Sequence, residues 1–593
     1  MKFGHIGVLI AVFAMAGCSP KSPEESAGGS SPVLQHDFTL SQAEFDSLTP
    51  ETQFMVANKA LSTMYRGLPA DEFFDLSKGL EDPQVQYTNF VSDTQIKLQE
   101  LITHDEFIDL SARLFGVEDN LETTDVDESI PARFFIDSGH PHQYYMARIQ
   151  GYPLSRDMFV NWMSYFLANT IMFSPAREMD STDNQDVAWV LGYLDTELRL
   201  NTPIREVVKG WLHRLTRWRV SRSPENHALE MFELYLGVFN DTPEEQQNTL
   251  NGGKVCDYWS LSDDDENYVL KSDPIKPEGT QTLKVFGQYV STCHELYDVV
   301  SGHPLLIPRV VEVIVNYFLD GSPAELKTEL IQNIVSTGPT TFDDVFLAII
   351  YSEAFLLQAE RPKTIEENAF GFLNSMHWTP RSDRYPLDER VLDVMLDSSN
   401  NSEELSVHNM GWAAMDYKIG RTPFLPMDVL SFASYHRAMR QEVLLNGNAY
   451  SGCYHPGVEY RTCYQQRSDE ELAIAETDPT RLEPFPIHNG AFYVAGTENL
   501  KPELENLSAE EFVDFIFISA LGRKAETAEK TALLEEANED NRDYVRADED
   551  GVLQLRKTNG EDLLWENRTD DFAMVILDYI SRLPEFYYYK AAN

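Results

Sequence analysis

Apolar residues recur at intervals of three and four through most of this chain, and that interval constrains the fold more than any other feature. Phe342, Val345, Phe346, Ile349 and Ile350 fall on the i, i+3, i+4, i+7 positions that line one face of an α-helix. The stretch from Pro304 to Phe318 is apolar in the same manner. Helix starts are written repeatedly in one chemistry: a hydroxyl side chain to cap the first free N–H groups, a proline that needs no donor, then an acid facing the positive end of the helix dipole. Thr49-Pro50-Glu51, Thr242-Pro243-Glu244-Glu245 and Ser322-Pro323-Ala324-Glu325 are such starts, and Ser508-Ala509-Glu510-Glu511 is a capping box without the proline. Period-two alternation is confined to short pieces such as Ala491 to Ala495. These patterns predict an all-α or nearly all-α protein, a multi-helical body carrying loop insertions.

Composition shifts divide the chain further. Residues 1–17 read as a signal peptide, 18–35 as a flexible tether, and 36–250 as an N-terminal helical region. A polar insertion at 251–292 follows, then a central helical region at 293–440, an aromatic loop region at 441–505 and a C-terminal helical module at 506–593. Met64-Tyr65-Arg66-Gly67-Leu68-Pro69 echoes Ala520-Leu521-Gly522-Arg523-Lys524-Ala525, and Tyr351-Ser352-Glu353-Ala354-Phe355 echoes Leu583-Pro584-Glu585-Phe586. The echoes raise the expectation of a duplicated helical unit.

At the N-terminus Lys2 precedes an apolar run from Ile6 to Ala16, which ends in small residues. A membrane span needs about 20 apolar residues, so this layout predicts a cleaved export signal instead. Met15-Ala16-Gly17-Cys18 resembles the lipobox of bacterial lipoproteins, with Met where Leu is usual, which implies lipidation at Cys18. Ser19, by its likeness to lipoprotein sorting signals, implies transfer to the outer membrane, and Ser19 to Pro32 has the composition of a tether. The expected membrane contact is through this lipid alone, with the folded part facing the periplasm or the cell surface.

Of the five cysteines, Cys18 is assigned to lipid, which leaves Cys256, Cys293, Cys453 and Cys463. An even number in an exported chain predicts two disulfides. Sequence order favours Cys256–Cys293 and Cys453–Cys463, although order does not prove connectivity. A haem-attachment C-x-x-C-H is missing, so covalent haem is excluded, and no nucleotide-binding motif occurs. With 96 acidic against 47 basic residues the net charge is −49. That balance excludes nucleic acid as a partner, because such binding rests on neutralising phosphates with Lys and Arg.

Asn226-His227-Ala228-Leu229-Glu230-Met231-Phe232-Glu233-Leu234-Tyr235-Leu236-Gly237 resembles the hallmark of an exported bacterial family, domain of unknown function 1800. The resemblance spans roughly 150–440, through His303-Pro304, Tyr317-Phe318, Ser352-Glu353-Ala354-Phe355, Lys363 with Glu366 and Glu367, Met410-Gly411-Trp412 and Gly420-Arg421-Thr422-Pro423-Phe424. Leu229 and Tyr235 stand where the family carries Arg and His, and one residue is missing before Gly237. Any chemistry of that Arg and His is therefore absent here. The flanks, around Arg66-Gly67-Leu68-Pro69 and Leu521-Gly522-Arg523, look like helical modules of planctomycete cytochrome-associated proteins. The resemblance implies a sulfatase-like exported protein as candidate partner.

Asn226, Glu230 and Glu233 share one helical face by their spacing. Two carboxylates so placed can share a proton, hold a divalent cation with Asn226, or pair with basic side chains across a helix interface. His140-Pro141-His142 is a close histidine pair that could ligate zinc or copper given further ligands, or be ordinary loop histidines. His303 is a candidate base or a helix-start residue. Tyr454, Tyr460 and Tyr464, beside Cys453 and Cys463, suit either a contact surface for protein or glycan or the pinning of a loop to a helical body. Glu230, Glu233 and His303 are thus the catalytic candidates, and His140, His142, Glu230 and Glu233 the metal candidates. Asn226, Tyr454, Tyr460 and Tyr464 are the binding candidates. Two functions follow as expectations: a cell-envelope binding or scaffold lipoprotein for an exported protein or glycan, and a metal-dependent hydrolase acting on envelope or extracellular polymers. The cofactor remains unassigned.

Overall fold

A computed structural model describes residues 34–75, 80, 87–101, 154–168, 170–172, 184–214, 221, 223–264, 267–363, 367, 371, 375, 507–538, 542–547, 553–557, 576, 579–580 and 582–592. The described chain is mostly helical, with strands only in two-stranded sheets.

The N-terminal region supplies α1 (Gln42–Ser47), α2 (Pro50–Thr63), α3 (Ala70–Phe73), α4 (Phe90–Lys97), α5 (Arg156–Ala168), α6 (Asn184–Arg199), α7 (Ile204–Leu212), α8 (Pro224–Leu236) and α9 (Pro243–Cys256). Two hairpins follow, β1 (Trp259–Asp264) with β2 (Asn267–Ser272) and β3 (Leu283–Val285) with β4 (Gln288–Val290). Next come α10 (Cys293–Gly302), α11 (Leu306–Phe318), α12 (Ala324–Ser336), α13 (Phe342–Ile350), a π-helical turn at Ala354–Gln358 and β5 (Arg361–Pro362). The C-terminal module contains α14 (Ala509–Leu521), α15 (Thr527–Asn538), the hairpin of β6 (Arg542–Ala547) and β7 (Leu553–Lys557), a 3-10 turn at Pro584–Tyr587 and β8 (Tyr588–Tyr589). No described helix is long and apolar enough to cross a membrane.

The expected helix starts recur with their chemistry. Thr49 accepts from the Thr52 N–H at the head of α2, and Thr242 accepts from the Glu245 N–H at the head of α9. Ser508 and Glu511 close a reciprocal capping box on α14, as Thr341 and Asp344 do on α13. The start at Ser322 shifts by one residue: Pro323 is itself the cap of α12, and no side chain bonds there.

The polar insertion expected from residue 251 begins later and is more ordered than a loop. Asn251-Gly252-Gly253 would break an isolated helix, yet α9 continues through it to Cys256. Packing decides this, since a Cβ on Gly252 would sit 3.0 Å from the Ala228 Cβ and 3.1 Å from Phe232. The glycines let α9 lie close on α8, and that contact outweighs their poor intrinsic propensity. Beyond Cys256 the insertion forms hairpins, and the Cys256–Cys293 disulfide joins its two ends, as sequence order suggested. Cys453 and Cys463 lie outside the described residues.

One hydrophobic cluster runs through the helices. At its centre Trp162 and Phe166 of α5 meet Phe318 of α11 and Phe346 of α13, with ring centroids 5.1–6.1 Å apart. Helix α2 packs on α14, and β5 pairs antiparallel with β8, Arg361 opposite Tyr589 and Pro362 opposite Tyr588. The N-terminal, central and C-terminal parts therefore join at one place.

Candidate functional site

Helix α8 carries the Asn226 and Glu230 motif. Ser223 caps it, accepting from the Asn226 N–H, and Gly237 ends it in the left-handed conformation at φ 67°. Its apolar face, including Ala228, Met231, Phe232 and Leu236, is buried. The spacing argument holds for the first pair: the Asn226 amide donates to Glu230 Oε1 at 2.7 Å and to the Ser221 carbonyl at 2.9 Å. Glu233 is half-buried on the same helix. Tyr235, which replaces the family's His, is fully buried.

Sequence reasoning passed over His227, which is wholly buried. Its Nε2 lies 2.9 Å from the Tyr297 hydroxyl of α10, and its Nδ1 lies 3.3 Å from the Ser221 hydroxyl, which in turn donates to Glu230 Oε2 at 3.2 Å. One proton arrangement satisfies every member. Tyr297 donates to Nε2, Nδ1–H donates to Ser221, and Ser221 donates to the carboxylate. The Tyr297 hydroxyl also lies 3.2 Å from the disulfide sulfur of Cys293. The His213 ring lies edge-on to the Tyr297 ring at 4.7 Å and tilted against His294 at 4.6 Å, and burial followed by the His294 charge holds its pKa below the usual histidine value. This polar chain ties α8 to α10 beside the disulfide. Any cation at Glu230 would have to displace Asn226 or Ser221.

His303 sits elsewhere in the hydrogen-bond pattern. It caps the C-terminus of α10, its Nδ1 accepts from the Leu305 N–H at 3.2 Å, and its ring lies 5.0 Å from Phe286. Burial and then Arg205, which donates to the His303 carbonyl, lower its pKa. Among the described residues no group of three or more His, Cys, Asp or Glu could hold a metal ion. His140, His142, Tyr454, Tyr460, Tyr464 and Cys18 lie outside the described residues.

A second polar cluster, at the junction of α2, β5, α14 and β8, surrounds a pocket of about 40 Å³. Lys59, only 2% exposed, projects from the buried face of α2. Its Nζ donates to the Ala359 carbonyl at 2.6 Å and the Lys590 carbonyl at 3.3 Å, and lies 5.0 Å from the Phe355 ring. Lys363 enters from the strand side, its Nζ 5.3 Å from the Tyr589 ring and 5.7 Å from Phe586. Behind them Arg361 and Glu367 form a bidentate ion pair, each side chain 1% exposed. Desolvation, reinforced by the Arg361 charge and opposed by Glu360, pushes Lys59 down to about 7. Desolvation also pushes Lys363 down to about 8, with Glu367 opposing and Arg361 assisting. The sequence held one signal for this site. Lys59 is the only charged residue between Glu51 and Arg66, in a stretch that otherwise reads as a helix turned to the core.

Compared with family models, curated proteins and solved structures, the chain finds no match.

Proposed function

We propose that the protein is an exported lipoprotein of the bacterial cell envelope, tethered through Cys18, whose helical body binds an exported protein or a glycan. The Cys256–Cys293 disulfide carries this reading. Such a bridge belongs to an oxidising compartment, which agrees with the export signal expected at residues 1–17 and the lipobox at Cys18. It also fixes the base of two hairpins on which Tyr289 is 75% exposed, while Ile275 in the connection between them is 86% exposed. A large apolar side chain held out on a braced projection suits contact with a partner, since ordering it on binding costs little further entropy.

The same reading keeps Ser19 as an outer-membrane signal and treats the echoing segments as traces of a duplicated helical unit. Helix α2 leads to α3, and α14 to α15, through glycines of similar left-handed backbone, Gly67 at φ 64° and Gly522 at φ 70°. The strands that follow the second pair of echoing segments, β5 and β8, pair with one another.

The test is site-specific photo-crosslinking from position 289 in intact cells, paired with mass analysis of the N-terminal peptide. A diacylglyceryl-modified Cys18 and a discrete crosslinked product at 289, absent from a crosslinker placed at buried Val345, are expected. An unmodified Cys18 would overturn the tethering, and a chain that crosslinks to nothing from position 289 would overturn the binding role.

A further inference from the structure

The pocket at the junction of α2, β5, α14 and β8 is lined by Lys59, Lys363 and Lys590 against the single carboxylate of Glu585. That carboxylate is already engaged. Glu585 pairs with Arg523 and with Lys590, the latter at 2.5 Å. Arg361, the next cation behind the wall, is matched by Glu367. Among the described residues neither the Lys59 nor the Lys363 ammonium group is in a salt bridge, although the charges of Glu360 and Glu367 act on them. Lys59 Nζ bonds only carbonyl oxygens, and Lys363 Nζ makes neither an ion pair nor a hydrogen bond among the described residues, resting against aromatic faces.

Buried cations without counter-charge cost several kcal/mol each, and this chain has acidic side chains in excess, 96 against 47 basic. At this junction, by contrast, the groups outside salt bridges are basic. We propose that the pocket is a binding site for a small oxyanion, a carboxylate or phosphate group taken between the Lys363 and Lys59 ammonium groups.

The donor inventory fits. A protonated lysine has three N–H donors; Lys59 uses two on the Ala359 and Lys590 carbonyls and keeps one, whereas Lys363 keeps all three. The volume of about 40 Å³ admits a group of a few heavy atoms and not a polymer chain. Only the charged end of a larger molecule would enter, past Met55, Leu521 and Tyr588 at the apolar part of the wall. Because the lining comes from α2, from Lys363 just after β5, and from α14 and β8, a bound anion would bridge the N-terminal, central and C-terminal parts of the chain. Association does not depend on global attraction, since the overall charge repels anions and the site acts within a Debye length of about 8–10 Å. This inference is independent of the envelope-binding role.

The experiment is calorimetry on the full-length protein in detergent, with three probes of known charge: acetate, inorganic phosphate and sulfate. Binding by at least one is expected, and acetate against phosphate tells a carboxylate ligand from a phosphoryl one. Lys363→Met is expected to weaken the favoured probe about tenfold or more, and Lys590→Ala, at an exposed position, by about threefold. Sulfate keeps one charge across the relevant range, so its affinity is expected to fall as pH rises through about 7 and then about 8, where Lys59 and Lys363 in turn lose a proton. The other charged groups facing the pocket are Arg361 with Glu367, Arg523 and Lys590 with Glu585, and Glu360 near Lys59. Should Lys363→Met fail to fold, ¹³C-methylation of the wild-type lysines supplies a second readout, in which the Lys363 and Lys59 resonances titrate below the other lysines and shift with sulfate. Absence of binding by all three probes at about 20 mM, unchanged affinity in Lys363→Met, or lysine resonances indifferent to sulfate would overturn the proposal.

Discussion

Lys59 Nζ donates a 2.6 Å hydrogen bond to the carbonyl of Ala359, 300 residues further along the chain. The same nitrogen reaches the Lys590 carbonyl, so one side chain on α2 joins the π-helical turn and the C-terminal tail. A neutral amine has two N–H donors, enough for both carbonyls, which is why burial can remove the third proton without breaking the link.

The pH dependence of stability follows from that proton. With the folded pKa lowered to about 7, below the ordinary lysine value, the unfolded chain binds more protons between about 7 and 10.5. Stability from Lys59 therefore rises with pH across that window and is flat below it. The stability difference between wild type and Lys59→Met, from denaturant titrations at pH 6 and pH 9, is expected to grow in favour of wild type by about 2 kcal/mol. An equal difference at both pH values would mean that the buried lysine keeps its proton.

Removing the disulfide tests the brace between the hairpins and the helical body. Closing a loop of 37 residues stabilises by about 4 kcal/mol in the chain-entropy account. Cys256→Ser with Cys293→Ser is expected to lose on the order of 3 to 4 kcal/mol, seen as a lower melting temperature.

Glu367→Gln strips the counter-charge from Arg361, whose side chain is 1% exposed. Leaving a guanidinium buried without its carboxylate is expected to cost about 3–5 kcal/mol. Arg361→Met combined with Glu367→Leu is expected to recover much of that loss in denaturant titrations, because it removes both charges together.

Gly522→Ala would force a side chain into left-handed backbone at φ 70° and place its Cβ 2.8 Å from Met55. A loss of about 1–3 kcal/mol is expected. Since Gly522 and Met55 both line the lysine pocket, the variant should also weaken sulfate binding in calorimetry.

On helix α8, Asn226→Ala removes the bond to Glu230 and the bond to the Ser221 carbonyl. Loss of two partly buried hydrogen bonds, one to a charged group, predicts a cost of about 1–3 kcal/mol, measurable by thermal unfolding.

The sequence by itself determined what depends on near neighbours. Helix starts at Thr49, Thr242 and Ser508 were legible because a cap acts over three residues, and the bond between Asn226 and Glu230 was legible because i and i+4 side chains meet on any helix. Sequence order favoured the Cys256–Cys293 bridge without proving it. Only the tertiary structure decided what depends on partners distant in the chain. The glycines at 252 and 253 look like a stop until Ala228 and Phe232 are seen against them. His227 reads as one more polar residue on a helix until Tyr297 and Ser221 arrive at its two nitrogens. Lys59, Lys363 and Lys590 lie hundreds of residues apart, and no local pattern announces that β5 will pair with β8 and bring them around one pocket. Short-range hydrogen bonding writes its rules into adjacent letters. Burial, which sets both the protonation of these lysines and the glycine contacts, is a property of the packed chain as a whole.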